Sequence, residues 1–370
     1  MSRPAAAAAE PKPALVPPQP QPRIRLMIVD DSPVARAILS RMIEAYPEFE
    51  VAAAVGGAGE AVETLKRSRI DIVLLDVEMP GTSGLDALPD ILAHGRGARV
   101  LVVSSHCAEG AEAAVRALAA GAADILPKPG AGAPGERFSA LLAERLRRLA
   151  SVETHVEEAA PDVVPPALPL RPMGEGRLGC IAIGASTGGF HSVAGFLKAL
   201  PASVAVPILV TQHLPAAFMP IFARQLESAS GRRAQIAADG VALRPREIVV
   251  APGDAHLKLV EKGAQVCVAL DRSAAASGCM PAVDVMLAAA SERYGRGAVG
   301  VVLSGMGRDG LAGARAIVAG GGTMLVQDPA TSAVWGMPRA VAEAGLASAV
   351  SPPAELARRI GERMECGAWT

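Results

Sequence analysis

Acidic residues follow two strand-like runs near the N-terminus of the chain. Asp30 and Asp31 come directly after the apolar run Leu26–Val29, and Asp76 follows the run Ile72–Leu75. In an open parallel sheet the carboxyl ends of the strands form one edge, where ligands bind. Three carboxylates at that edge would repel one another unless a divalent cation lay among them, and hard oxygen ligands suit Mg²⁺. The spacing therefore predicts a magnesium site formed by these three aspartates.

A hydroxyl and an ammonium group are predicted to reach the same edge. Ser104 follows the apolar run Val100–Val103, and Lys128 comes just after the run Asp124–Leu126. Such groups beside a metal can bind the oxygens of a transferred phosphoryl group. A helix cap or a turn would explain any one of the acidic residues alone. Their placement together at the ends of successive strands favours a phosphorylation site.

A candidate nucleophile occurs in the second half of the chain. The run Gly184-Ala185-Ser186-Thr187-Gly188-Gly189 follows the strand-like Cys180–Ile183 and opens an apolar helix. A Gly-x-Ser-x-Gly core can place a serine on a tight strand-to-helix turn. A nucleotide-binding loop looks similar, but a dinucleotide site needs Asp or Glu at the end of the second strand. This strand ends at Thr211-Gln212-His213, which favours a hydrolase.

Three histidines are candidates for the general base. His213 stands at the carboxyl end of a strand, at the edge where Ser186 is expected, and is therefore preferred. His256 follows another strand by several residues and remains credible, whereas His191 lies inside the helix that begins after Ser186. The sequence pattern leaves His213 and His256 open.

The residue that orients the histidine is also open. Asp254, Asp309 and Asp328 all follow strands. Asp309 has the strongest local support because the glycine-rich loop Leu303–Gly310 can bring backbone N–H groups near a reacting oxyanion. A Ser-His-Asp chain order differs from the Ser-Asp-His order of the α/β-hydrolases, but a triad is defined by geometry.

Two α/β domains are predicted to position these groups. A flavodoxin-like (βα)5 domain spans residues 24–148, after a disordered Ala- and Pro-rich tail at 1–23, and a Pro-rich linker spans 149–177. The predicted strands of this first domain are Leu26–Val29, Val51–Val55, Ile72–Leu75, Val100–Val103 and Asp124–Leu126.

The second domain, residues 178–365, is predicted to be doubly wound with a mainly parallel sheet. Its predicted strands are Cys180–Ile183, Pro207–Thr211, Ile248–Ala251, Val299–Leu303 and Thr323–Val326, with Val266–Leu270 in a hairpin.

Composition excludes several other classes of protein. With 370 residues, 20% charged residues and a net charge of −1, the chain carries no field that would attract nucleic acid or an anionic membrane. The five cysteines are scattered without C-x-x-C spacing, which argues against a disulfide scaffold or a zinc site and fits a reducing cytosol. Four prolines within the uncharged stretch 199–223 argue against a membrane helix. A cytoplasmic location is expected.

The first domain closely resembles the response-regulator receiver family over about residues 24–148. The resemblance implies that Asp76 is the phospho-acceptor, that Asp30 and Asp31 hold Mg²⁺ with it, and that Ser104 and Lys128 are the switch residues. The matching runs are Met27–Ser32, Leu74–Gly81, Val103–Ser105 and Lys128-Pro129.

The second domain resembles the catalytic domain of the chemotaxis protein-glutamate methylesterases, the CheB family, over about residues 178–350. The resemblance implies that Ser186 is the nucleophile, His213 the base and Asp309 its partner, that Met306 offers an oxyanion N–H beside Thr187, and that the esterase needs no cofactor. The matching runs are Ile183–Gly189, Thr211–Pro215, Ala251–Asp254, Pro281–Val285, Ser304–Gly310 and Trp335–Arg339.

The two resemblances together imply a phosphorylation-activated enzyme of chemotaxis adaptation. Such an enzyme hydrolyses glutamate methyl esters on the cytoplasmic helices of chemoreceptors, releases methanol and often deamidates receptor glutamines. Its phosphodonor is a chemotaxis histidine kinase, and it meets the membrane only through receptors. The alternative is a response regulator whose second domain only binds partners. No helix-turn-helix pattern or basic stripe supports a DNA-binding output.

The chain departs from the two family patterns at two places. Receivers usually carry an aromatic residue three positions before the lysine, where this chain has Ile125. The methylesterases usually have a His-Arg pair before the Pro-x-Val-Asp motif, where this chain has Cys279-Met280. The second departure removes a cation from the surroundings of the substrate.

Overall fold

The computed structural model describes residues 23–104, 108–128, 135–150 and 168–365. The predicted tail, apart from Arg23, and residues 151–167 of the predicted linker lie outside these ranges. None of the described helices is both long enough and apolar enough to cross a membrane.

The first domain is a parallel five-stranded sheet with the order β2-β1-β3-β4-β5. The predicted receiver fold is therefore confirmed. Its strands are β1 (Ile24–Val29), β2 (Phe49–Val55), β3 (Ile72–Asp76), β4 (Arg99–Ser104) and β5 (Asp124–Pro127), and its helices are α1 (Pro33–Glu44), α2 (Ala58–Arg67), α3 (Gly84–His94), α4 (Ala108–Ala119) and α5 (Gly135–Ala150).

Local sequence explains how this sheet presents its acidic edge. The central strand β3 is buried along its whole length, as expected for a strand covered on both faces. Helix α1 begins with Ser32 as its N-cap, whose Oγ accepts from the Ala35 N–H, and with Pro33 in the first turn. A Cβ at Gly84 would lie 2.0 Å from the carbonyl oxygen of Asp76, so only glycine lets α3 start this close to the acidic site.

The second domain has a parallel seven-stranded sheet with the order β14-β13-β12-β6-β7-β9-β8 and a separate antiparallel hairpin, β10-β11. Its strands are β6 (Cys180–Ala185), β7 (Ile208–Gln212), β8 (Ala234–Ile236), β9 (Ile248–Val250), β10 (His256–Lys262), β11 (Gln265–Asp271), β12 (Ala298–Val302), β13 (Thr323–Gln327) and β14 (Ala349–Ser351). Its helices are α6 (Gly189–Ala199), α7 (Met219–Ser230), α8 (Val283–Tyr294), α9 (Leu311–Ala319), α10 (Met337–Glu343) and α11 (Pro353–Glu365).

The strand order brings three chemically important loops together. Strand β6 lies in the centre and pairs with β7 on one side and β12 on the other. The chain therefore changes direction across the sheet at β6, and such a point is where ligands bind in open α/β sheets. The loops after β6, β7 and β12 carry Ser186, His213 and Asp309 respectively.

The predicted linker differs from the structure at both ends. Helix α5 of the first domain extends to Ala150, two residues beyond the predicted domain boundary at 148. Residues 168–177 lie against the second domain: the Gly174 N–H donates to Thr323 Oγ1 and the Arg171 N–H to the Ala347 carbonyl oxygen. Composition suggested a free segment because proline-rich runs bury little apolar surface, but these backbone groups find partners on the neighbouring domain.

The receiver is packed against the second domain. Helix α4 contacts α6, α7 and the turn before α7, and one hydrophobic cluster includes Val115 and Leu118 of the receiver with Phe190 of the second domain. The Gly188 N–H donates to the Ala123 carbonyl oxygen at 2.9 Å. The contact therefore reaches the loop that carries Ser186.

Candidate active site and receiver site

The backbone of Ser186 is fixed on three sides directly after β6. Its N–H donates to the carbonyl oxygen of Ser304 at 2.9 Å. Its own carbonyl oxygen accepts from Gln212 Nε2 at 2.7 Å and from the Gly189 N–H at 2.8 Å. Ser186 is only 3% exposed, so the loop is a rigid, covered platform for the side chain.

Glycines allow this tight turn into α6. Gly188 has a φ of +70°, and a Cβ there would lie 2.3 Å from the Ala333 Cβ. A Cβ at Gly184 would lie 2.1 Å from Val283 Cγ1, so glycine also lets α8 pack against the end of β6. The Gly-x-Ser-x-Gly spacing is thus required by backbone conformation and by close packing.

His213 follows β7 and is oriented by Asp309. The His213 Nε2 to Asp309 Oδ2 distance is 2.8 Å. Because Asp309 Oδ2 is an acceptor, Nε2 carries the proton and Nδ1 keeps a lone pair in the neutral ring. Ala185 pairs with Gln212 across strands β6 and β7, so the residues that follow them, Ser186 and His213, leave the same edge of the sheet side by side. The imidazole of His213 therefore lies next to Ser186 with a fixed tautomer.

Three backbone amides hold the Asp309 carboxylate in place. Oδ2 accepts from the Val283 N–H at 2.8 Å, while Oδ1 accepts from the N–H groups of Asp284 and Gly310, both at 3.0 Å. Burial raises the pKa of Asp309, but the hydrogen bonds from His213 and the amides outweigh it, so the pKa lies below its ordinary value. Asp309 therefore stays an anion.

The same carboxylate acts on the catalytic candidate His213. Burial lowers the pKa of His213, but hydrogen bonds with Asp309 and then with Cys279 outweigh burial and raise the pKa to about 9. The protonated imidazole is therefore stabilised, which is what a group that must accept a proton from Ser186 requires.

Among the alternatives that the sequence left open, the described residues bring His213 and Asp309 together and give the others different partners. Both ring nitrogens of His256 are used in structural hydrogen bonds, Nδ1 with the Ala282 N–H and Nε2 with the Ser273 carbonyl oxygen. His191 is exposed on α6. Asp254 pairs with Arg272, and Asp328 accepts from the N–H and Oγ1 of Thr331. Neither aspartate contacts a histidine among the described residues.

The glycine-rich loop after β12 packs directly on Ser186. A Cβ at Gly305 would lie 2.9 Å from the Ser186 Cβ. The Gly305 N–H donates to Val334, and the Gly305 carbonyl accepts from the N–H groups of Gly336 and Met337. Within the described part of the chain the next N–H, that of Met306, has no partner and remains available as an oxyanion donor.

Thr187, a predicted residue of the oxyanion loop, instead faces the receiver. Its Oγ1 donates to Asp124 Oδ2 at 3.0 Å, and its carbonyl oxygen accepts from Ser304 Oγ at 2.8 Å. Asp124 also forms a 2.5 Å ion pair with Arg145. The side chain next to the candidate nucleophile is thus tied to β5 of the other domain.

The receiver site brings together the predicted acidic residues and the lysine. Carboxylate oxygens of Asp30, Asp31 and Asp76 lie within 4.8 Å of one another. Lys128 Nζ lies 2.6 Å from Asp76 Oδ2 and 3.4 Å from Asp30 Oδ2. Burial raises the pKa of Asp76, and this effect outweighs the hydrogen bonds from Lys128 and the Glu78 N–H, which lower it. Oxygen donors this close, with a carboxylate that is costly to bury, fit a divalent cation.

Ser104 and Ile125 lie beside this acidic cluster. Ser104 is fully buried at the end of β4, and its Oγ donates to the Gly110 carbonyl oxygen at 2.7 Å. The hydroxyl therefore links the acidic edge to α4. Ile125 is 1% exposed and belongs to the hydrophobic cluster that continues into the second domain, so it is a core residue here.

Comparison with known proteins agrees with both predicted domain types. Residues 181–360 match the model for the CheB methylesterase and residues 26–133 match the model for the response regulator receiver domain. A protein-glutamate methylesterase/protein-glutamine glutaminase of Paramagnetospirillum magneticum is 39% identical over 361 residues, which cover 90% of this chain and 94% of the relative. The relative of the same name from Azospirillum brasilense is 37% identical and covers 90% and 91%.

The chain belongs to the protein-glutamate methylesterase/protein-glutamine glutaminase family. Among solved structures, the CheB methylesterase catalytic domain of Thermotoga maritima is 37% identical, with a TM-score of 0.49 and coverage of 50% of this chain and 98% of that chain. The response regulator domain of Thermotoga maritima CheB is 33% identical, with a TM-score of 0.31 and coverage of 34% and 94%.

Cys279 is the main departure of this methylesterase family member at the active site. It is half-buried in the loop between β11 and α8 and contacts the imidazole of His213. In the sequence, Cys279 stood out only because it occupies a position where the family usually has a cationic pair. Gln212 and Asp124, which hold the nucleophile loop from two sides, were also missed, because neither stands in a motif whose spacing indicates its partner.

Proposed function

We propose that this chain hydrolyses glutamate methyl esters on chemoreceptors, deamidates receptor glutamines and is activated by phosphorylation of its receiver. The observation that carries the proposal is the His213–Asp309 pair at the same sheet edge as Ser186. Relatives that match about nine-tenths of the chain carry the names of these two activities.

The catalytic steps follow from the tautomer of His213. Its Nδ1 takes the proton of Ser186 Oγ as the oxygen attacks the ester carbonyl, and Asp309 stabilises the imidazolium through Nε2. The imidazolium then gives its proton to the departing methoxide, and methanol leaves. Water, activated by the same imidazole, hydrolyses the acyl-enzyme. An amide substrate follows the same route with ammonia as the leaving group.

The Met306 N–H supplies the oxyanion contact in this proposal. It lies on the loop that packs against Ser186, and the neighbouring Gly305 N–H is already bonded to Val334. A fixed backbone donor needs no reorganisation when charge develops on the carbonyl oxygen, and removing one such donor costs about 10²–10³ in rate in other acyl-transfer enzymes.

The receiver accepts a phosphoryl group on Asp76 in this proposal, from a chemotaxis histidine kinase. Asp30, Asp31 and Asp76 would hold Mg²⁺, which neutralises phosphoryl charge when bound. Lys128 Nζ is already within 2.6 Å of the acceptor and would pair with the phosphoryl oxygens. Ser104 would turn from the Gly110 carbonyl to the new anion, which would change the position of α4.

Repression follows from the interdomain contact. Helix α4 and β5 lie against α6 and the Ser186 loop, so a receptor helix reaches the serine only after the receiver moves. A tenfold activation needs only about 1.4 kcal/mol of differential stability between closed and open states. The enzyme would act in the cytoplasm on the cytoplasmic helices of receptors, without nucleic acid and with no membrane contact of its own.

Methanol release from methylated receptor membranes tests the proposal. The full chain should release methanol faster with a small-molecule phosphodonor, and Ser186→Ala should lower the rate by about 10⁴–10⁶. The exposed Ser228→Ala change on α7 serves as the control. Equal release by the wild type and Ser186→Ala would favour the alternative of a second domain that only binds partners.

A further inference from the structure

A cluster of metal-binding side chains surrounds the catalytic imidazole. A ring nitrogen of His213, Cys279 Sγ and a carboxylate oxygen of Asp309 lie within 4.8 Å of one another. We propose that these three residues form a binding site for Zn²⁺ or a similar borderline divalent cation, and that the bound cation inhibits the hydrolase.

The donor set is that of zinc rather than magnesium. Thiolate, imidazole and carboxylate are the ligands of protein zinc sites, and three protein ligands with one water complete a tetrahedron. Tetrahedral coordination requires donor separations of about 3.3–3.8 Å, which the bond lengths of about 2.0–2.3 Å imply. The His213 Nε2 to Asp309 Oδ2 distance of 2.8 Å is shorter than that range, so these two side chains must separate by about 0.5–1 Å to admit the metal, and the other donor separations are below 4.8 Å.

The charges of the cluster also suit a divalent cation. Binding displaces the thiol proton of Cys279, so that one thiolate and one carboxylate balance the two positive charges of the metal. Both carboxylate oxygens of Asp309 accept hydrogen bonds, from His213 and from the amides of Val283, Asp284 and Gly310, which is the arrangement of a carboxylate anion. The neutral imidazole completes an uncharged site.

The ligands are held in place before any metal arrives. Three backbone amides fix the carboxylate of Asp309. The loop that carries Cys279 is tied at both ends by the buried His256, whose ring bonds to Ser273 before the cysteine and to Ala282 after it. A site assembled in this way loses little conformational entropy on binding.

Occupancy and catalysis exclude each other. A metal between His213 and Asp309 replaces the proton on Nε2, so the neutral ring carries its proton on Nδ1 and has no lone pair for the Ser186 proton. The metal also removes the acceptor that orients the ring. Spacing along the sequence predicted no zinc site, because the three ligands come from loops that are far apart in the chain and meet only in the fold. The inhibition rests on the proposed esterase activity, whereas the metal site itself does not.

Cobalt provides a test that does not depend on activity. The full chain would be reduced, stripped with EDTA and given excess Mg²⁺ to occupy the acidic receiver site, and then titrated with Co²⁺. One equivalent should produce thiolate-to-cobalt charge-transfer absorption, which oxygen ligands do not give, and Zn²⁺ should abolish it. Cys279→Ser should lose the band, whereas a Cys107→Ser/Cys366→Ser variant, which keeps Cys279, should retain it.

Inhibition is measured separately on methanol release. Zn²⁺ should lower the rate reversibly with EDTA, and Cys279→Ser should need at least tenfold more Zn²⁺ for half-inhibition, relative to its own metal-free rate. Absence of the cobalt band, or a band that survives in Cys279→Ser, would overturn the site. A band with no inhibition would overturn the inhibitory role, and a chain with no metal-free activity would instead contradict the proposed function.

Discussion

Asp309 determines which nitrogen of the candidate base His213 can accept a proton. Its two oxygens accept from His213 Nε2 and from three backbone amides, so the carboxylate can neither rotate nor become a donor without losing bonds. The proton on Nε2 is thereby fixed, and the reactive lone pair is on Nδ1. A charged residue fixed in this way contributes both orientation and electrostatic stabilisation of the imidazolium.

The pH dependence of hydrolysis should report the pKa of His213. The folded protein raises it to about 9, because bonds with Asp309 and Cys279 outweigh burial. Only the neutral ring accepts a proton, so kcat/KM of the EDTA-treated enzyme should rise with pH through that value. Cys279→Ser removes one of the groups that raise the pKa, and its rise should occur at lower pH. Met280→Leu keeps the thiol and is the control. Superimposed profiles for wild type and Cys279→Ser would contradict this cause.

Sequence patterns identified the candidate residues but not their partners. Ser186 and His213 could be placed because each directly follows a strand, and strand ends meet at one edge. The residue pattern favoured Asp309 over Asp254 and Asp328, and the family resemblance selected it. Its contact with His213 depends on packing against α8 rather than on spacing. The contact of Cys279 with His213 was invisible for the same reason, since it depends on a loop of irregular conformation.

At the scale of elements, the turn from β6 into α6 carries the most stringent requirement. Gly188→Ala should destabilise the second domain by about 1–3 kcal/mol, because its φ is +70° and the added methyl group would meet Ala333. Gly195→Ala in the same helix is the matched control. It has no atom within 4 Å of the new Cβ and should stabilise by about 0.5–1 kcal/mol. Denaturant unfolding measures both, and equal effects would contradict the role of the turn.

The elements found from the sequence are those with long apolar runs. The five receiver strands and the central strands β6, β7, β12 and β13 were placed within a few residues. The three-residue strands β8 and β14 were missed because, unlike the equally short β9, neither lies in a continuous apolar run. Strand β10 was also missed: it begins at His256, four residues after Pro252, where the pattern indicated a loop. Of the three missed strands, β10 carries one candidate base, His256, whereas β8 and β14 carry none.

At the scale of the whole molecule, a side-chain hydrogen bond joins the receiver to the hydrolase beside the candidate nucleophile. Thr187→Val keeps the shape of the side chain but removes its hydrogen bond to Asp124. Losing one hydrogen bond of about 1 kcal/mol should shift the equilibrium from the closed state toward the open state. Methanol release by the unphosphorylated protein should then rise about fivefold. Stimulation by a phosphodonor should shrink by the same factor.

An exposed ion pair at the same interface provides the control for Thr187→Val. Glu112 and Arg224 are 4.0 Å apart and largely exposed, so Glu112→Gln should change the basal rate little. If Thr187→Val lowers the phosphorylated and unphosphorylated rates equally, the hydroxyl serves the nucleophile loop and not the interdomain contact. The sequence could not predict this bond, because nothing in either domain alone indicates which surface the other covers.

The N-terminal boundary of the hydrolase domain is defined by contacts in the folded protein rather than by composition. Residues 168–177 lie on the second domain through the Gly174 and Arg171 N–H groups and through carbonyl oxygens that accept from Arg363. Residues 168–370 should therefore unfold at a higher temperature than residues 178–370. Each hydrogen bond contributes about 1 kcal/mol, and about 2–4 °C in Tm corresponds to each kcal/mol in a domain of this size. Both fragments lack the receiver, so a phosphodonor should not change the activity of either. Equal Tm values for the two fragments would show that residues 168–177 contribute no stability.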